Sequence, residues 1–318
     1  MVADGANIVS VQGLYKRYKD LPVLLNLSFD VPRRSVFGFI GPNGAGKTTT
    51  IKIITGLLHD FQGDVMIQGS SVRQRDLASC ASIGYLPQRT TMQEWRTVDQ
   101  ALNTFGRLSG MEGDDVKKRT GEVLDVLGIS EHRHRKVGKL SGGTLQKVGM
   151  AQAMLHRPEL MILDEPVAGL DPESRVLFKN LFRQLAKDGA TVFFSSHILS
   201  DVEDIANNIG ILGQGRMGYC GSMDGLRERV QHHKEVRLEL VEQLNDIQML
   251  SRIPAVSTVE RISGNEFMLR FQNNADIDAA IDKCIRDVLG AGMHIRSIRP
   301  THPSLEELYL SYTKGGMV

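Results

Sequence analysis

The chain has 318 residues, a length that predicts about two domains. Hydrophobic residues make up 41% and charged residues 24%, as in an ordinary globular protein, which excludes disordered, collagen-like and coiled-coil classes. The 38 basic and 37 acidic residues leave a net charge of +1, so no overall field attracts nucleic acid or an anionic membrane. Cys80, Cys220 and Cys284 lie far apart, so we expect no disulfide framework, no metal-ligand spacing and a reducing compartment.

Membrane and export signals are not expected in this sequence. Residues 1–7 lack the basic start and apolar core of a signal peptide. No apolar run approaches the ~18 residues that a membrane-spanning helix needs. Any membrane role is therefore expected to come through a partner.

Residues 1–225 carry the pattern of an α/β domain. Short, almost continuously apolar strands such as 160–163 and 191–195 are typical of a parallel sheet that is buried on both faces. The predicted strands are 8–11, 23–31, 36–40, 160–163 and 191–195, and the predicted helices are 48–58, 97–128 with glycine breaks, 143–156 and 172–187.

The pattern changes near residues 221–230, which suggests a second domain over 226–318. Strands are predicted at 235–240, 256–262, 266–271 and 293–298, and helices at 241–252, 277–289 and 304–312. The order strand, helix, strand, strand, helix, strand is typical of a small α+β, ferredoxin-like domain.

A glycine-rich segment, GPNGAGKT at 41–48, fits the pattern G-x-x-x-x-G-K-[ST] between a strand and a helix. Such a loop lets successive backbone N–H groups converge on phosphates at the positive end of a helix. Lys47 is expected to reach the β/γ-phosphates and Thr48 to ligate Mg²⁺. A glycine-rich turn without a ligand is the alternative. The expected nucleotide contacts are Gly41, Pro42, Asn43, Gly44, Ala45, Gly46, Lys47, Thr48 and Thr49.

Two carboxylates, Asp164 and Glu165, follow the apolar strand 160–163. Ligands of open α/β sheets bind at the carboxyl ends of the strands, and buried carboxylates need cations or donors. Asp164 suits the Mg²⁺ shell, and Glu165 suits a general base that polarises the attacking water. An acidic cap of the strand is the alternative.

A second candidate anion-binding turn is Ser141-Gly142-Gly143-Thr144, directly before a helix. Ser141 is a suitable N-cap, and the glycines expose backbone N–H groups at the helix start. A plain capped helix start explains the same residues.

Together these motifs resemble those of the ATP-binding subunit of an ABC transporter. Residues 41–48 resemble the Walker A loop, 160–165 the Walker B strand and 140–144 the LSGGQ signature. By this resemblance Gln88 is the Q-loop glutamine and a metal ligand with Thr48 and Asp164, and His197 is the switch histidine beside the γ-phosphate. Tyr18 lies where members of this family have an aromatic residue that stacks on adenine. Residues 169–171 resemble the D-loop of the family.

Alone, the smaller matches have simpler explanations. His197 and Tyr18 would be structural residues and Gln88 a loop residue, while the H-x-H at 132–134 suits a solvated loop. The sequence departs from the family pattern at Thr144, where a glutamine is usual, and at Val167, where threonine or serine is usual.

The resemblance implies a P-loop NTPase fold, with a RecA-like parallel sheet, an antiparallel β lobe and a helical lobe around residues 90–155. It also implies ATP and Mg²⁺ as cofactors and a head-to-tail homodimer in which Ser141, Gly142 and Gly143 face the partner's ATP. The partner would be a membrane permease of an exporter-type system, with the chain peripheral on the cytoplasmic face and no nucleic acid bound. A ribosome- or DNA-associated ABC ATPase and an unrelated P-loop kinase are the alternatives.

Overall fold

The computed structural model describes residues 7–74, 82–230, 234–244, 247–253, 256–271, 276–301, 305–306 and 309. The chain separates into one unit of Met1–Met223 with Tyr309–Val318 and a second unit of Asp224–Leu308. The domain boundary after residue 225 stays a prediction.

The described residues of the first unit form two sheets. The antiparallel sheet has the order β2-β1-β4-β5 and consists of β1 (Asn7–Tyr18), β2 (Leu21–Pro32), β4 (Gln62–Ile67) and β5 (Ser70–Ser71). The central sheet consists of β3 (Val36–Ile40), β6 (Ile83–Leu86), β7 (Leu160–Leu163), β8 (Thr191–Ser196), β9 (Asn208–Gly213) and β10 (Arg216–Ser222). Its order is β10-β9-β3-β8-β7-β6, and only the pairing of β10 with β9 is antiparallel.

The predicted burial of the central strands is confirmed, since every residue of β3, β7 and β8 is buried. An aromatic cluster joins the two sheets: Phe29 of β2 stacks against Phe37 and Phe39 of β3 and against Phe193 of β8. The carboxyl ends of β3, β6, β7 and β8 meet at one edge, because these strands are parallel neighbours. Residues that follow these four strands are therefore brought together.

Among the described residues of this unit, the helices are α1 (Lys47–Ile54), α2 (Val98–Leu108), α3 (Gly113–Val126), α4 (Gly142–Met154), α5 (Pro172–Lys187) and α6 (Leu199–Ile205). The helical lobe is formed by α2, α3 and α4, which contact one another. Helix α1 ends at Ile54, four residues before its predicted end, because Gly56 adopts φ +70°.

The second unit has a four-stranded antiparallel sheet with the order β12-β13-β11-β14, as the ferredoxin-like pattern predicts. After α7 (Met223–Val230), its elements are β11 (Lys234–Leu240), α8 (Gln248–Ser251), β12 (Val256–Ser263), β13 (Glu266–Phe271), α9 (Ile277–Gly290) and β14 (Ile295–Thr301). The predicted helix 241–252 is wrong for its first part. The predicted helix 304–312 lies outside the described residues except for 305–306 and 309.

Nowhere in the described ranges is a helix both long and apolar enough to span a bilayer.

Candidate nucleotide-binding and hydrolysis site

The glycine-rich loop connects β3 to α1, and two of its glycines cannot be replaced without a clash. Gly46 has φ +111°, and a Cβ there would lie 2.5 Å from Leu24 Cδ2. A Cβ on Gly41 would lie 2.3 Å from the carbonyl oxygen of Leu212. Glycine is therefore required for the loop to fit beneath the neighbouring backbone and still open α1.

Lys47, the first residue of α1, is almost fully buried and folds back over the loop. Its Nζ donates to the carbonyl oxygens of Gly41 at 2.8 Å and Pro42 at 3.2 Å. The same ammonium lies 3.6 Å from Glu165 Oε1. The cation is thus held at the centre of the loop, where the phosphates of a nucleotide would need it.

Asp164 and Glu165 follow β7 and take up different environments. Asp164 is fully buried, and its backbone N–H donates to Leu86 at the end of β6. Its Oδ1 accepts a 2.7 Å hydrogen bond from the Ser195 hydroxyl. Glu165 is 5% exposed and has φ +52°, a left-handed conformation that is strained for a residue with a side chain.

Asp164 has properties expected of a magnesium ligand. The pKa of Asp164 is raised, chiefly because its carboxyl group is buried, and the charge of Glu165 adds to the rise. Hydrogen bonds from the Ser195 and Thr48 hydroxyls and the charge of Lys47 act in the opposite direction. Its Oδ2 is buried and makes no well-aligned hydrogen bond. A cation at this oxygen would offset the cost of burying the carboxylate.

The oxygen atoms of Thr48, Gln88 and Asp164 are the hard donors that Mg²⁺ prefers, so these residues fit the expected ion. Thr48 and Gln88 both line the same cleft. No cluster of three His, Cys, Asp or Glu residues suited to a metal occurs within the described ranges. A magnesium site here would accordingly need the hydroxyl and amide oxygens, together with those of a phosphate.

His197 follows β8 and is the exposed end of a three-residue chain of contacts. Its Nδ1 donates to Glu165 Oε2 at 2.8 Å, and the opposite oxygen of that carboxylate faces Lys47. The imidazole is 45% exposed, whereas Glu165 is buried. The histidine therefore orients the carboxylate from the solvent side and leaves Nε2 available to a ligand.

A cleft of about 360 Å³ lies over the glycine-rich loop. The structure brings eight predicted site residues together around it: Asn43, Gly44, Gly46, Lys47, Thr48, Thr49, Gln88 and Glu165. Gly41 and Pro42 touch this group through Lys47, and the buried Ala45 closes the loop by donating to Pro42. Asp164 and His197 flank Glu165.

Tyr18 and the signature turn do not line this cleft. The cleft wall next to the loop is formed by Leu21 and Val23 of β2, while the Tyr18 ring is 45% exposed and lies 4.9 Å from the Lys16 ammonium. Ser141 caps α4 by accepting from the Thr144 N–H, and Gly142 is exposed. Their predicted roles with adenine and with a partner's ATP remain predictions.

Sequence reasoning did not identify Ser195 or the β2 wall. Ser195 lies 31 residues from Asp164, and only the parallel pairing of β7 with β8 brings them together. Its one sequence signal was its place two residues before His197 at the end of an apolar strand. Val23 had no signal beyond its strand pattern, and Leu21 lies before the predicted strand 23–31, although β2 begins at Leu21.

Comparisons with known proteins agree with this geometry. A family model described as ABC transporter matches residues 24–168. The uncharacterized ABC transporter ATP-binding protein YxlF of Bacillus subtilis is 33% identical over 95% of this chain and 98% of its own length. The linearmycin resistance ATP-binding protein LnrL of Bacillus subtilis is 29% identical, over 96% of this chain and 98% of its own length.

A solved structure of the ATP binding subunit of an ABC transporter superposes with a TM-score of 0.66 at 29% identity, covering 70% of this chain and 92% of that one. The fold is thus that of a P-loop ATPase, as predicted. The chain belongs to the ABC transporter family, as one of its ATP-binding proteins. It is an ATPase of the kind that is coupled to transport, and the ribosome- or DNA-associated alternative is not favoured.

Proposed function

We propose that this chain hydrolyses Mg²⁺-ATP in the cleft over the glycine-rich loop and thereby powers a separate membrane permease. The observation that carries the proposal is the meeting of Lys47 and Glu165 in one cleft. They come from motifs more than a hundred residues apart. One supplies positive charge for phosphates, and the other a buried base for water.

In this mechanism the loop N–H groups and Lys47 bind the β/γ-phosphates. Entry of the phosphates would replace the bonds from Lys47 to Gly41 and Pro42. Thr48, Gln88 and Asp164 would hold Mg²⁺, which supplies charge neutralisation when bound. Glu165 accepts the proton of the attacking water, and His197 holds the Glu165 carboxylate in place and contacts the γ-phosphate.

The proposal includes a head-to-tail homodimer on the cytoplasmic face of the membrane. The chain has two candidate anion-binding turns at helix N-termini: the glycine-rich loop 41–48 and the signature turn 141–144. Of these two, the loop lines the described cleft and the signature turn does not. A second copy of the chain would bring its signature turn to that cleft. Closure on ATP and opening after hydrolysis would then move the permease.

A phosphate-release assay on the purified chain tests the catalytic part. We expect hydrolysis with Mg²⁺ and none in EDTA, while a fluorescent ATP analogue still binds. Glu165→Gln keeps the shape of the side chain but loses its basicity, so the rate should fall by about 10²–10⁴-fold.

Glu159→Gln is the matched control, because Glu159 is exposed and pairs with Arg33 and Gln68 outside the cleft. It should hydrolyse ATP at the native rate. Native hydrolysis by Glu165→Gln would remove Glu165 from the proposed role.

A further inference from the structure

One buried hydroxyl links the two carboxylates that follow β7. Ser195 is fully buried near the end of β8. Its Oγ donates to Asp164 Oδ1 at 2.7 Å and accepts the backbone N–H of Glu165 at 2.9 Å. The hydroxyl has a single proton, which it donates in the hydrogen bond to the Asp164 carboxylate. Its oxygen therefore acts as the acceptor for the Glu165 N–H, and both hydrogen-bond directions are fixed.

The bond to Glu165 replaces a strand hydrogen bond at the point where β7 ends. Regular pairing of the two strands stops with Leu163 opposite Phe194. The first N–H after β7, that of Asp164, donates to the carbonyl oxygen of Leu86 in β6. The Glu165 N–H would be buried without a partner if the Ser195 side chain did not accept it.

This contact also bears on the backbone strain at Glu165. A left-handed non-glycine residue costs of order 1–3 kcal/mol and persists only where its surroundings fix it. With φ +52°, Glu165 directs its carboxylate to Lys47 and His197. The Ser195 hydroxyl anchors the N–H at the start of that turn.

We propose that Ser195 is a positioning residue that holds Asp164 and Glu165 in a fixed relative arrangement for hydrolysis. The inference rests on the proposed roles of these two carboxylates. Loss of the hydroxyl would release the buried Asp164 oxygen and the Glu165 backbone together. The consequence would be a slower chemical step and weaker metal binding, with the glycine-rich loop untouched.

The same strand offers a matched control at its opposite end. Thr191, the first residue of β8, is also buried, and its hydroxyl accepts the backbone N–H of Arg34 at 2.8 Å. Thr191→Val removes that acceptor, as Ser195→Ala removes the acceptor of Glu165. Both variants leave one backbone N–H without its partner, and Ser195→Ala in addition removes the donor to the buried Asp164 carboxylate. Thr191→Val therefore controls for the loss of a backbone acceptor on the same strand.

The experiment compares Ser195→Ala, Ser195→Cys and Thr191→Val in steady-state ATPase kinetics. A displacement of about 1 Å at a catalytic group costs about 10²-fold in rate, so kcat of Ser195→Ala should fall by about that factor. The KM for ATP should change little. The thiol of Ser195→Cys is a weaker donor and should give an intermediate kcat. Thr191→Val should keep the native kcat.

A second readout is independent of turnover. Mn²⁺ bound to the ATP complex, measured by electron paramagnetic resonance, should bind more weakly to Ser195→Ala than to Thr191→Val. If either folded Ser195 variant matches Thr191→Val in kcat, or if Mn²⁺ affinity is unchanged, the positioning role is wrong. No hydrolysis of Mg²⁺-ATP by the native chain would instead contradict the proposed function itself.

Discussion

At the scale of single residues, the buried Lys47 ammonium contacts Gly41, Pro42 and Glu165. We expect Lys47→Ala to weaken ATP binding by about 10- to 100-fold, because a charge-assisted contact to phosphate contributes about 1.5–3 kcal/mol. Titration of the protein with a fluorescent ATP analogue measures this directly.

Lys52→Ala is the control for that titration, since Lys52 is exposed on the same helix and outside the cleft lining. Its affinity for the analogue should equal that of the native chain. Unchanged affinity in Lys47→Ala would contradict the assignment of residues 41–48 as a nucleotide loop.

Most of the candidate site could be predicted at this scale because its motifs are local. Lys47 and Thr48 follow from one eight-residue segment, and Asp164 and Glu165 from the end of one strand. Ser195 could not be predicted, because its bonds depend on the register between β7 and β8. The strained φ of Glu165 likewise depends on contacts distant in sequence.

At the scale of elements, α5 and α6 are joined by ion pairs. Arg175 and Lys179 lie one turn apart on α5 and both contact Asp201 of α6, at 3.2 and 2.8 Å. Arg183, a further turn along, donates to the Asp204 carbonyl at 2.8 Å. Helix α6 begins two residues after His197, so these contacts connect α5 to the segment that follows a predicted site residue.

We expect Asp201→Asn to lower the free energy of unfolding by about 1–3 kcal/mol, because Asp201 is 4% exposed and accepts from two cations. Urea unfolding followed by circular dichroism measures the change. Asp20→Asn removes a carboxylate from an exposed pair with Arg17, and should cost less than about 0.5 kcal/mol. Equal effects would show that the α5–α6 pairs are no stronger than a surface pair.

Trp95 belongs to the segment between Gln88 and α2. Its ring is 64% exposed with the Arg96 guanidinium 4.9 Å away, and a groove of about 390 Å³ lies beside it along α2. An exposed tryptophan suits a protein interface. Trp95→Ala should therefore weaken binding to the permease, while basal ATPase stays at the native level.

Pull-down of the permease from detergent-solubilised membranes and ATPase assays on the purified chain test this together. Val126→Ala, on α3, removes an exposed apolar side chain outside the groove lining and should leave permease binding intact. Loss of basal ATPase in Trp95→Ala would show that the ring supports the fold of the helical lobe instead.

The helix predicted over 241–252 shows where periodicity misleads. Of this predicted range, α8 covers only Gln248–Ser251. The Val241 N–H donates to the His294 carbonyl, and the Glu242 carboxylate accepts from both the backbone and the ring of His294. These contacts hold residues 241–242 in a non-helical conformation beside His294. They join segments that are distant in sequence, so no local pattern encodes them.

At the scale of the whole molecule, the proposed dimer makes a prediction about mass. Glu165→Gln with Mg²⁺-free ATP should accumulate as a closed dimer, because ATP binds but is not hydrolysed. Light scattering should then give twice the mass of the chain, and the mass of one chain without nucleotide. A single-chain mass in both conditions would contradict the ATP-driven homodimer.

In the proposed head-to-tail homodimer each P-loop cleft would be completed by the partner's signature turn, so a defective copy of the gene would interfere with an intact one. A native chain paired with a Lys47→Ala chain would have a complete P-loop facing the defective chain's signature turn, and a defective P-loop facing the native one. One site of such a pair would bind and hydrolyse ATP, and the other would not. If transport needs both, the Lys47→Ala allele would be dominant over the native allele in a cell that expresses the two together.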